Sequence, residues 1–126
     1  MIIVKIAIII ARLLLGIVFV VFGSNGFLHF IPMPPPQGQA GNFSMALFLS
    51  GYFYVIAALQ VAGGALLLIG RYVALGLTLL GPVVVNIFLF HLFLAPSGLP
   101  LALIVSCLSL FLLWAYRDRF AAILRP

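Results

Sequence analysis

The chain is predicted to be all-α, a bundle of four transmembrane helices with both termini in the cytoplasm, and three observations lead there. Its 126 residues are 67% hydrophobic, and they carry six Lys or Arg against a single acid, Asp118. The apolar residues fall into four runs near the length that crosses a bilayer, separated by Pro- and Gly-rich punctuation. The basic residues, placed on four such runs, all collect on one side.

A soluble domain of this size needs charged side chains over much of its surface, and this chain has almost none. In a membrane, the same composition describes one compact domain, residues 1–126, with little outside the lipid. The formal charge of +5 does not point to nucleic acid, because Lys5, Arg12, Arg71 and the Arg117, Arg119, Arg125 group are divided by long apolar runs and form no phosphate-tracking patch. Cys107 is the one cysteine, so the chain has neither an internal disulfide nor a CxxC pair, and its apolar surroundings predict a small buried hydrophobe.

Only internal hydrogen bonding satisfies the backbone in lipid, so each run is expected to be a helix of about 20 residues. The expected spans are about 6–30, 44–69, 72–94 and 99–116. Arg12 interrupts the apolar run that follows Lys5 and no A-x-A site comes after it, which predicts an uncleaved first span rather than a signal peptide. Pro32–Asn42, rich in Pro and Gly, is expected to be the first loop, Gly70-Arg71 a tight turn, and Ala95–Pro100 a short third loop. The loops around Pro34 and Ser97 carry no charge, which sets the cytoplasmic side by the positive-inside rule.

Helices in lipid associate through small residues and occasional polar contacts. Gly16 and Gly23, seven residues apart, Gly63-Gly64 and Gly76 are the expected close-approach positions, and Pro82 is expected to bend the third span. Arg12 either snorkels to the headgroups or turns inward to a polar group such as Gln60.

The polar residues within the spans each need a partner. Asn25 and His29 on span one, Tyr52 on span two, and Asn86 and His91 on span three all lie toward the non-cytoplasmic ends, within roughly 15 Å of the outer interface. Two readings of this cluster stand side by side. It is a cavity for a quinone or another amphipathic molecule, or a hydrogen-bond network that fixes packing. No spacing matches a zinc signature, so no metal is expected; no CxxCH motif attaches haem, and no Ser, His and carboxylate approach a triad. If the protein does redox work, a diffusible quinone or a partner carries the electrons.

Three stretches taken together resemble the DoxX family of small four-helix membrane proteins. They are Arg12–Gly23 with Gly26, Phe27, His29 and Phe30; Gln60–Arg71 with its Gly63-Gly64; and Asn86–His91. The likeness covers nearly the whole chain and rests on the order and spacing of the motifs. It implies a multi-pass protein of the bacterial inner membrane, similar either to the small subunit of a thiosulfate:quinone oxidoreductase or, in appearance, to eukaryotic assembly proteins. Family members often carry a glutamate where Gln60 stands. A proton-handling role for that acid would be lost here, whereas a hydrogen bond toward Arg12 would survive.

The expected function is therefore an accessory subunit of a redox complex or a binder of quinone or another lipophile, with catalysis itself left open. The alternative is a membrane assembly or interaction protein without a catalytic site. Beyond the bilayer, the expected partners are another protein or a second copy of the chain.

Overall fold

The first apolar run folds into α1 (Ile2–Leu28), whose 27 residues span about 40 Å. The computed structural model describes residues 1–34 and 36–126; Pro35, within the expected first loop, lies outside them. α1 ends at His29, whose left-handed backbone (φ 53) lets its N–H donate to the Asn25 carbonyl at 2.9 Å.

The second span departs from expectation. Helix begins at Gly38, within the stretch expected to be loop, and the expected continuous helix over 44–69 is two helices, α2 (Gly38–Ser50) and α3 (Tyr52–Ile69). Gly51 divides them. Its φ of +81 is a left-handed conformation that any side chain would strain, and its N–H turns back to the Phe48 carbonyl. Ser50 bridges the break, donating its hydroxyl to the Leu47 carbonyl and accepting the Tyr52 N–H, both at 3.2 Å. A straight helix over 44–69 would be about 39 Å long against a hydrocarbon core of about 30 Å. Breaking it leaves the 18-residue α3 as the crossing.

Gly70 (φ +82) and Tyr72 (φ 57) turn the chain into α4 (Val73–Phe93), which contains Pro82. A 3₁₀ turn, Pro96–Gly98, leads into α5 (Leu99–Ala115), and together they make an apolar stretch of 20 residues, enough for the fourth crossing. The short α6 (Arg117–Phe120) and a 3₁₀ turn, Ala121–Leu124, follow. Among the described residues there is no strand. Among the described residues, four helices are long and apolar enough to cross a membrane, the pattern of a multi-pass membrane protein.

Small residues set the packing. A methyl group on Gly16 would stand 3.0 Å from the Gly64 carbonyl oxygen, and one on Gly23 would stand 3.0 Å from that of Ala57, so α1 and α3 run antiparallel in backbone-to-backbone contact. Gly63 and Gly76 meet in the same way between α3 and α4, each aimed at the other's carbonyl at 3.0–3.1 Å. α4 packs on α5, and α5 closes against α1, so the four crossings form a ring in the order α1, α3, α4, α5. Leu15, Phe19, Leu67, Leu80 and Leu112 fill its centre and are almost wholly enclosed. The outward faces, including Ile17, Leu75 and Leu110, are exposed aliphatics suited to lipid.

The ring brings the cations to one end. Arg12 lies over Gly70, which places Arg71 and the start of α1 together, and Tyr116 and Phe120 at the foot of α5 pack on the same core. Arg117 lies 4.8 Å from the ring of Trp114 and donates to the Trp114 carbonyl at 2.8 Å. Because Arg12 is level with the end of α3, Ile2–Ala11 extends about 15 Å past the α3–α4 turn.

Candidate functional site

α3 and α4 touch where Gly63 meets Gly76, and above that contact a groove opens between them. Pro82, on the groove wall, has no N–H to give the Thr78 carbonyl, so α4 is free to turn away from α3 one to two turns above the glycine contact. α2 covers the open end by laying Phe43, Ser44 and Leu47 across it. Phe43 also meets Phe90 of α4 with ring centroids 5.7 Å apart. The resulting space is about 720 Å³, within the range that holds a drug-sized or lipid-like molecule.

Its walls are mostly aliphatic and aromatic, interrupted by the uncharged polar side chains of Ser44, Tyr52, Gln60, Asn86 and His91. Among the described residues, no Lys, Arg, Asp or Glu lines it. Tyr52 and His91 stand toward the end covered by α2, and Gln60 sits on α3 eight residues, about 12 Å, beyond Tyr52. Asn86 lies between them on α4 and donates its amide to the Pro82 carbonyl at 2.8 Å. Nδ1 of His91 is 3.2 Å from the Ala95 carbonyl oxygen, and Gly98 of the 3₁₀ turn presses on the same edge of the ring, so this glycine has no room for a side chain. Gln60 makes no hydrogen bond with any described residue.

Of the five residues expected to form one cluster, the structure brings together Tyr52, Asn86 and His91, and joins Gln60 to them. Asn25 and His29 do not reach the groove, because α1 lies on the other side of α3. Asn25 instead ties down the chain leaving α1. Its Oδ1 accepts the Ile31 N–H at 2.7 Å, and its Nδ2 donates to the Ile31 carbonyl at 3.3 Å. Asn25→Leu should therefore lower stability by about 2 kcal/mol, the loss of two hydrogen bonds made by a buried side chain, without altering what the groove holds. Chemical denaturation in detergent measures the first, and ligand retention the second.

His29 is exposed at the left-handed end of α1. Tyr52 is the first residue of α3 and 64% exposed, at the groove mouth rather than two to three turns inward as the continuous helix implied. The inward contact between Arg12 and Gln60 is not made. Gln60 is beside Gly23, whereas Arg12 is beside Gly70, ten residues or about 15 Å further along α3. Arg12 sits at the C-terminal end of α3, where the helix dipole favours a cation, and its buried Nε has no partner among the described residues. Cys107, expected to be buried, is exposed on the lipid side of α5, and Ser106 bonds back to the Ala102 carbonyl at 2.8 Å.

The α2 wall was not expected from the sequence, because Ser44 and Leu47 read as the start of a straight span over 44–69 and Phe43 fell just before it. The signal was Gly51, within an apolar run too long for one crossing. Among the described residues, no three His, Cys, Asp or Glu side chains gather as a metal site would require. No protein-family model, curated protein or solved structure matches the chain.

Proposed function

We propose that this is a DoxX-like protein of the bacterial inner membrane that binds a neutral lipophilic molecule, such as a quinone or its hydroquinone, in the groove between α2, α3 and α4. The observation that carries the reading is the groove itself: about 720 Å³, apolar walls, and uncharged polar side chains from three helices turned into one space. Apolar walls accept a chain or ring, and the polar groups orient a head. A charged headgroup would find no counter-ion there.

The sequence resemblance adds the redox setting, in which the protein serves as an accessory subunit and the bound molecule carries the electrons. The groove lacks an acid, a metal cluster and a nucleophile with its base, so its side chains fit binding better than covalent catalysis. With six basic residues at one end of the bundle, the orientation that suits a bacterial membrane has both termini and the Gly70–Tyr72 turn in the cytoplasm. The groove mouth then opens in the outer leaflet.

Native mass spectrometry of protein extracted gently from its own membrane tests this. The wild type should retain a defined small molecule that the Asn86→Leu/His91→Leu variant loses while keeping its helix content. A stoichiometric protein partner with no retained small molecule would instead favour an assembly protein whose polar residues serve packing.

A further inference from the structure

The polar atoms that the groove offers are set by the hydrogen bonds its side chains already make. Asn86 faces the Pro82 carbonyl at 2.8 Å. A carbonyl oxygen has only lone pairs to give, so the amide atom facing it is Nδ2, and the atom left over is Oδ1, an acceptor. The same reasoning applies to His91. The Ala95 carbonyl 3.2 Å from Nδ1 requires a proton on Nδ1, which leaves Nε2 of the neutral ring as a bare lone pair. The Ala95 carbonyl holds the ring this way round, since turning it over would put a C–H in place of the Nδ1 donor.

Both polar groups that α4 contributes are therefore committed acceptors. Asn86 cannot become a donor without giving up its own bond, and His91 can do so only as an imidazolium, a charge with no counter-ion inside a low-dielectric bundle. The remaining groups are not committed, since the Tyr52 and Ser44 hydroxyls rotate and Gln60 has both a donor and an acceptor. Among the described residues, no charged side chain lines the space to recruit an ion.

We infer that the groove selects, among neutral lipophiles, those whose head donates hydrogen bonds. A phenol or alcohol head fits, whereas the ether, ketone or ester of the same shape sets its lone pairs against Asn86 Oδ1 and His91 Nε2. This rests on the groove being a ligand site, and it assigns the site a polarity: the hydroxyl form of a molecule is held more tightly than the form without the donor. The penalty for the wrong form comes from leaving unpaired, away from water, the acceptor that the hydroxyl would have paired, which discriminates more sharply than a difference in shape.

A matched pair isolates the donor. 4-Dodecylphenol and 4-dodecylanisole differ only in the methyl cap on oxygen, and each can be titrated into the full-length protein in phosphatidylcholine nanodiscs, with occupancy counted by native mass spectrometry against empty discs. The phenol should bind on the order of tenfold more tightly than the anisole. The double variant Asn86→Leu/His91→Phe, which removes both acceptors, should bring that ratio to about one. Equal binding of the two by the wild type would overturn the donor preference and leave the groove a ligand site. Binding of neither would overturn the site and the preference together. The wild-type ratio decides the matter even if a variant fails to fold.

Discussion

Gly64→Leu should cost the bundle about 3 kcal/mol or more, the upper range for overpacking, because the atoms it meets cannot move aside. Its first added carbon would stand 2.9 Å from the Gly16 carbonyl oxygen and 3.0 Å from the Val20 backbone nitrogen. Both belong to the α1 backbone, so relief requires α1 to separate from α3, and that contact runs from Gly16 to Gly26. In lipid no hydrophobic force draws the helices back together, since the separated faces are as well solvated by acyl chains as by each other. Gly81→Ala is the matched control. No atom beyond the local helix backbone and chain neighbours lies within 4 Å of its added carbon, and the gain from removing a mid-helix glycine is offset by the side chain placed before Pro82, so the change should stay within about 1 kcal/mol of neutral. Unfolding in mixed micelles, followed by far-UV circular dichroism, compares the two. Gly64→Leu behaving like Gly81→Ala would mean that the glycine contact does not hold α1 to α3.

That contact was legible in the sequence, and so were the four crossings, for a shared physical reason. The bilayer fixes how many apolar residues a crossing needs, and backbone contact in lipid requires glycine, so length and residue type carry the information directly. The break at Gly51 was less legible. A glycine that turns the chain and one that admits a neighbouring helix are the same letter, and they differ in a φ angle the sequence does not display. Only the excess length of the 44–69 run marked it.

The candidate site divides along the same line. Counting residues from a span's end estimates depth, and by depth Asn25, His29, Tyr52, Asn86 and His91 all belong together. Direction around the helix axis is a different quantity, set by which helices are neighbours. With the order α1, α3, α4, α5, the polar end of α1 falls behind α3, and Asn25 finds its partner six residues away in its own chain. Gln60 shows the converse, because its greater depth set it apart from the cluster in sequence, yet the groove reaches down to it.

Gln60→Leu should act in opposite directions on stability and on binding, which separates a ligand site from a packing network. An amide mid-way along α3 with no protein partner among the described residues carries an unrecovered desolvation cost of about 1–3 kcal/mol, and leucine of similar volume removes it. Protein stripped of ligand should therefore gain about 2 kcal/mol. Leucine also takes away the groove's deepest hydrogen-bonding group, so retention of the bound molecule should fall by about tenfold, one hydrogen bond's worth in an apolar setting. Gln60→Glu is the companion variant. It keeps an oxygen at that depth, but as an acid with no cation nearby it must stay protonated to remain there, so it should retain ligand better than Gln60→Leu while losing the stability gain. Thermal unfolding of stripped protein and native mass spectrometry of loaded protein give the two readouts. A Gln60→Leu variant that loses stability when stripped would show that the amide is held by the protein itself, and the groove would then be a packing feature rather than a place for a ligand.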